Sequence, residues 1–249
     1  MIDEGDRVLL VGEGREFFTR AGPGRLSTDK GQIELAGLVG AEPGAIITTH
    51  TGARFVVRIP RPTDFFVHGK RSGAPMLPKD IGLVIAYTGM NHNDDVLDAG
   101  TGSGIAAIYF GGIAARVKTY EIRPEFSALA LKNIKEAKLE NVEAIAGDVL
   151  TAEGMYDVIH LDMQISTDHV YFAHDHLRAG GYLACYTPFL EQMGIVVDAA
   201  QARFPEVHTH ELIEREMTRS KRGTRPSTSV SHSGYITIAR KWTPSNSFP

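Results

Sequence analysis

The sequence predicts an α/β protein: a mostly parallel, doubly wound sheet with helices on both faces, preceded by a small all-β domain. The first 65 residues break into short β-rich segments, DRVLLVG, REFFTR, GQIELAGL, AIITTHTG and ARFVVRIPRP, set apart by Gly, Pro or polar stretches. That is the pattern of a small curled β domain. From about residue 80, apolar strands alternate with helical spacings, which predicts parallel strands joined by crossover helices. One of these strands passes into a helix through alternating glycines, in the stretch DDVLDAGTGSGIAAIYF.

Within residues 1–65, Gly31, Gly37, Gly40 and Gly44 fall at or near the breaks, where they suit tight reversals. Pro60 and Pro62 mark the exit, and residues 66–249 form the second domain. Its first helix is PKDIGLVIAYTGM, with Ile81, Val84, Ile85 and Thr88 at helical spacing and Asp80 near the start. Strand DDVLDAG, helix GIAAIYFGGIAA, strand RVKTYEI and helix RPEFSALALKNIKEAKL follow. Strands VEAIAGD, YDVIHLD and GYLACYT come next, with helices between and after them. The polar end TPSNSFP is expected to fray.

Composition narrows the class. With 43% hydrophobic and 22% charged residues, the 249-residue chain is an ordinary globular protein. Its one cysteine, Cys185, excludes an intramolecular disulfide and a cysteine-clustered metal site, and favours a reducing cytoplasm. No run approaches the ~20 apolar residues that span a bilayer. At a net charge of −4, a nucleic-acid partner has to meet a local basic patch.

In a doubly wound sheet, ligands bind beyond the carboxyl ends of the strands. Gly100, Gly102 and Gly104 let a ligand touch the main chain there, and their G-x-G-x-G spacing differs from the dinucleotide pattern. Glu121 ends the next strand, where an ionised carboxylate can accept both hydroxyls of a ribose diol. Asp148, ending the third strand, is placed for an adenine amino group. Three strand ends thus describe a nucleoside pocket without a phosphate cradle, which points to S-adenosylmethionine, with S-adenosylhomocysteine as product.

The segments VLDAGTGSG, TYEIRPEF, GDV and DVIHLDM, in that order, resemble motifs one to four of class I methyltransferases. More narrowly, nearly the whole chain is similar to the tRNA (adenine-N1)-methyltransferase family, archaeal type, which acts on adenine 58 of the T-loop and in archaea also on adenine 57. PKD, ACYTPFLEQM, the Glu-Arg pair of IEREMTR and RPSTSVSHSGYITIARKW carry that likeness. The resemblance implies a Rossmann-like, seven-stranded, mostly parallel sheet with a C-terminal antiparallel hairpin. It also implies a homotetramer that needs no metal. It assigns cofactor contacts to Asp98, Gly100, Thr101, Gly102, Ser103, Gly104, Glu121 and Asp148, and the catalytic position to Asp162.

Methyl transfer to a ring nitrogen needs no strong base, because the N1 lone pair exists at neutral pH. Positive charge grows on the ring, and an ionised carboxylate accepting from the exocyclic amine stabilises it and aligns the base. Asp162 sits where the family places that group. Two departures concern the base pocket: relatives follow this Asp with Pro-Trp where the chain reads DMQIS, and Ala74 stands where they carry a Gln before PKD. Tyr87, Tyr186, His160 and Gln164 are the side chains available as replacements.

Extruding an adenine from folded tRNA requires a grip on the backbone. Arg215, Arg219, Lys221, Arg222 and Arg225 form one basic cluster; Arg54, Arg58, Arg61, Lys70 and Arg71 form another. Of these, Arg219, Lys221, Arg222 and Arg225, with Tyr186, are the expected substrate-binding residues. Two alternatives remain. One is a methyltransferase of the same fold acting on isoaspartyl protein or another RNA base, since the isoaspartyl-repair type also carries GTGSG. The other is a non-catalytic tRNA-binding subunit, which predicts an eroded loop and no acid on the fourth strand.

Overall fold

The computed structural model describes residues 1–227 and 232–242. TPSNSFP, expected to fray, lies outside the described residues. The chain divides into two compact units: Met1–Lys70 with Lys132–Leu139, and Arg71–Leu131 with Glu140–Pro249.

The first unit contains β1 (Arg7–Gly12), β2 (Arg15–Arg20), β3 (Arg25–Thr28), β4 (Gly31–Glu34), β5 (Ile46–Thr48), β6 (Arg54–Arg58) and α1 (Pro62–His68). Four strands form an antiparallel sheet in the order β2-β1-β6-β5, and β3 and β4 pair separately. Alternating residues supply the core: Val8 and Leu10 of β1 meet Phe55 and Val57 of β6, with Ile33 and Leu38 from the segment between. Strand β3 and helix α1 are absent from the sequence reading. The helix nevertheless carries its own start signal: Pro62 occupies the first turn, and the Asp64 carboxylate accepts from the Arg61 N–H at 2.7 Å. Residues 132–139 group with this unit, which composition along the chain does not reveal. There, Glu136 accepts from Arg7 and Arg20, and Lys138 pairs with Asp6 at 2.6 Å.

The second unit begins with α2 (Pro78–Thr88), β7 (Asp95–Ala99), α3 (Ile105–Gly111), β8 (Arg116–Glu121), α4 (Pro124–Glu136), β9 (Val142–Ala146) and β10 (Tyr156–Leu161). It continues with α5 (Thr167–His176), β11 (Leu177–Thr187), α6 (Leu190–Gln201), β12 (Glu206–Glu211), β13 (Met217–Ser220), β14 (Gly223–Pro226) and β15 (Tyr235–Arg240). Helix α4 crosses from one unit into the other at Leu131. Among the described residues, seven strands form one sheet in the order β12-β15-β11-β10-β7-β8-β9. Strands β7 to β11 pair in parallel, and β15 runs antiparallel to both its neighbours. The order reverses between β7 and β10, and at such a switch point the connecting loops part and leave a crevice.

Period-two alternation sorts the faces. Leu97, Ile159, Leu161 and Leu183 share a core with Val170 and Ala173 of α5 and Val196 and Ala200 of α6. The intervening residues point the other way, where Phe110 of α3 meets His160 edge to face at 5.2 Å. On that second face Asp98 stands in register with His160 on one side and Thr119 on the other.

Candidate active site

Each glycine of the loop after β7 has its own physical reason. Gly100, at φ +86°, lies against the main chain after β10, so that an added Cβ would stand 1.8 Å from the Asp162 carbonyl oxygen. Gly102, at φ +54°, donates its N–H to Glu121 Oε2 at 2.9 Å. Gly104, at φ +81°, is the N-cap of α3, and a Cβ there would press on Ala130 of α4 at 3.2 Å. All three φ values lie in the left-handed region that favours glycine.

Beyond this loop opens a cavity of about 880 Å³ at the carboxyl ends of β7, β8, β9 and β10. Gly100, Glu121, Asp148 and Asp162 line it, together with the apolar side chains of Ile122, Val149 and Ile165. Its size and mixed lining suit a ligand of nucleoside size. Glu121 is 3% exposed. Burial alone would raise its pKa, but donors from Arg123 and the Gly102 N–H outweigh that and hold it below the ordinary value of 4.5. Asp148 caps the short helical turn after β9, accepting the Leu150 N–H at 2.9 Å. An acidic group for a diol, a second acid and apolar walls for a base, and a main chain stripped of Cβ atoms fit S-adenosylmethionine.

The side chains of Asp98, Thr101 and Ser103, expected among the ligand contacts, are buried and do not line the cavity. Asp98 accepts from Thr119 on one oxygen and pairs with His160 Nδ1 at 2.6 Å on the other. Thr101 shares a hydrogen bond with Thr119. Through these bonds Asp98, Thr101 and Thr119 brace the loop. His160 belongs to that brace, and its Nε2 has no partner among the described residues.

Asp162 directly follows β10, and its N–H donates to the Ala99 carbonyl at 2.8 Å, closing the ladder at the switch point. Burial raises its pKa from 3.8 to about 6, opposed by His160 and reinforced by the carboxylates of Asp98 and Asp80. A carboxylate so poised is a common mark of a working group. Tyr186 of β11 donates to the Ser233 carbonyl at 2.6 Å, and its ring lies within 3 Å of where a Gly234 Cβ would stand. Burial, then the charges of Asp80 and Asp162, push its hydroxyl up to about 12. Of the other replacement candidates, Gln164 lines the cavity rim, while Tyr87 packs against His210 at 4.6 Å.

The PKD segment, which the sequence offers only as a likeness, has a physical role. Lys79 Nζ donates to Asp80 at 2.6 Å, to the Leu212 carbonyl at 2.7 Å and to Ser233 Oγ at 2.6 Å. Ser233 Oγ in turn donates to Asp80 Oδ2 at 2.7 Å. A buried ion pair at the start of α2 thereby holds the chain before and after the basic hairpin. The sequence signal for it is a Lys-Asp pair in a first helical turn whose neighbours are apolar.

Arg219, Lys221, Arg222 and Arg225 are exposed on the β13–β14 hairpin, with Lys221 and Arg222 at its tip. Among the described residues, no cluster of three or more metal-ligating side chains occurs, and no helix is long and apolar enough to cross a membrane.

Comparison with known proteins divides along this architecture. Residues 73–185 match the protein-L-isoaspartate(D-aspartate) O-methyltransferase family, less than half of the chain. The tRNA (adenine(57)-N(1)/adenine(58)-N(1))-methyltransferase TrmI of Methanocaldococcus jannaschii is 33% identical, over 93% of this chain and 94% of its own. Among solved structures, an S-adenosylmethionine-dependent O-methyltransferase from Thermotoga maritima superposes with a TM-score of 0.86 at 27% identity, covering 97% and 94% of the two chains. The tRNA (m1A58) methyltransferase TrmI of Aquifex aeolicus gives 0.80 at 24%, covering 97% and 99%.

Proposed function

Because the chain belongs to the tRNA (adenine-N1)-methyltransferase family, we propose that it methylates N1 of adenine in the T-loop of tRNA, at position 58 and also at 57. One observation carries the reading: the isoaspartyl likeness ends at residue 185, whereas the tRNA-enzyme likeness covers 93% of the chain. That extent takes in parts of the chain beyond the shared methyltransferase core.

Bound S-adenosylmethionine would supply an electrophilic methyl group on a sulfonium. The chain's own residues bind and align. Glu121 accepts the ribose hydroxyls, Asp148 meets the adenine amino group, and the bare main chain at Gly100 admits close approach. Asp162 accepts from the exocyclic amine of the target base, fixing N1 in line and stabilising the charge that grows on the ring. The carboxylate must be ionised for this. Its half-buried setting on the cavity wall makes that charge more effective than it would be in open water. Tyr186 offers a ring to the target base, and Arg219, Lys221, Arg222 and Arg225 follow the tRNA phosphates. A homotetramer in the cytoplasm completes the reading, and light scattering tests its assembly.

The deciding experiment is methylation of unmodified tRNA transcripts with labelled donor, followed by nucleoside mapping. Label in 1-methyladenosine at 58, and at 57 where that base is adenine, is the expected result; a transcript changed at 58 loses the label at 58 and keeps any at 57. Label in an isoaspartyl peptide with none in tRNA would overturn it.

A further inference from the structure

The Glu121 carboxylate is fully subscribed by donors of the protein itself. Oε1 accepts from the Arg123 N–H at 3.2 Å and from Arg123 Nε at 2.8 Å; Oε2 accepts from the Gly102 N–H at 2.9 Å and from Arg123 Nη2 at 3.2 Å. An ionised carboxylate has about four acceptor sites, so none is left for a ribose diol. Two of the four donors belong to the main chain and are fixed. Gly102 is held in the loop, and the backbone of Arg123 is restricted by the ring of Pro124. The other two belong to one guanidinium, whose side chain is 52% exposed on the cavity wall.

We propose that Arg123 is a displaceable cap on Glu121: its paired N–H groups leave the carboxylate when the two hydroxyls of a nucleoside diol arrive. This rests on the reading that the cavity takes S-adenosylmethionine and its product. The exchange is two donors for two, so the carboxylate stays satisfied on either side of it. The displaced cation keeps a partner, since its Cζ already lies 3.9 Å from the centre of the Phe126 ring. With the cap in place, Glu121 remains ionised and oriented despite its burial. The displacement also lowers the net gain from each diol bound, which favours product release. Arg123 is thus a positioning residue that trades affinity for turnover.

The test uses calorimetry at about pH 8, where Glu121 is ionised, on the full chain and its Arg123→Met and Arg123→Lys variants. The probes are S-adenosylhomocysteine and its 2′,3′-dideoxy counterpart, which offers no hydroxyls to Glu121. Arg123→Met is expected to bind the diol ligand roughly three- to tenfold more tightly, with the dideoxy ligand changed less than about twofold. Lysine, lacking paired donors, falls between. A threefold or greater loss of diol affinity in Arg123→Met would make the guanidinium a permanent strut. An equal change for both ligands would equally overturn the cap. Thermal melts of each variant separate misfolding from either result, and Arg123→Lys carries the test if the Met variant unfolds. Failure of the unaltered protein to bind S-adenosylhomocysteine defeats instead the reading on which the cap rests.

Discussion

Gly100 and Asp162 touch through their main chains: a Cβ on the first would stand 1.8 Å from the carbonyl oxygen of the second. They follow β7 and β10, the two strands at which the sheet order reverses. The glycine loop and the Asp162 carboxylate therefore line one wall of the same cavity. Gly100→Ala, at φ +86°, is expected to cost about 2–4 kcal/mol of stability and to weaken S-adenosylhomocysteine binding more than tenfold. Gly102→Ala, at φ +54° with its Cβ in ordinary contact with the Gly100 carbonyl oxygen at 3.8 Å, is expected to cost only about 1 kcal/mol. Urea denaturation and calorimetry check the pair, and similar losses at both positions would contradict the shared wall.

The Lys79–Asp80 pair is buried, with side chains 8% and 0% exposed. Removing one partner of such a pair leaves an uncompensated charge. Lys79→Met is expected to destabilise by about 3–5 kcal/mol. Ser233→Ala, which deletes only a hydroxyl of the same network, is expected to cost about 1–2 kcal/mol. Chemical denaturation gives both values; equal costs would mean that the ion pair itself does little.

Substituting Arg219, Lys221 and Arg222 together by alanine is expected to weaken tRNA binding without altering S-adenosylhomocysteine affinity. All three are exposed on the hairpin, away from the cavity wall. Each lost phosphate contact reduces the slope of log affinity against log salt by roughly 0.7–0.9. Filter binding across a salt series measures it. An unchanged slope would identify the hairpin charges as ordinary solvent-facing ones.

Much of this was legible in the chain because local signals repeat there. Period-two apolar strands, helical spacings and the glycine loop place Gly100, Glu121, Asp148 and Asp162 at adjoining strand ends, and all four line one cavity. The burial of Asp98, Thr101 and Ser103 was not legible. Position in a motif does not say which way a carboxylate turns, and the register of Asp98 with His160 and Thr119 is a tertiary fact. Period two does place His160 and Asp162 on one face, so the link between brace and acid was partly available. Lys79 reaching Leu212 and Ser233 joins residues more than 130 positions apart, which no local pattern encodes.

Asp162 ties activity to stability in opposite senses. Burial is the main cause that raises its pKa from 3.8 to about 6. If the ionised form aligns the target base as proposed, log kcat/KM is expected to fall with unit slope below about pH 6 and to level off above it. The stability sign is the reverse of the usual carboxylate case. Between pH 3.8 and about 6 the folded state keeps a proton that the unfolded chain has released, so stability contributed by this group is lost as pH rises through that window. Above it the folded protein carries a penalty of up to about 3 kcal/mol, by the usual conversion of a pKa shift. Asp162→Asn removes that penalty while raising the transfer barrier by about 2–4 kcal/mol. The variant is therefore expected to be nearly inactive yet more stable than the parent at neutral pH, with the advantage shrinking toward pH 3.8. Denaturation curves of both proteins on either side of the window decide it: a stability difference that does not grow with pH would show that the folded protein does not hold Asp162 protonated there.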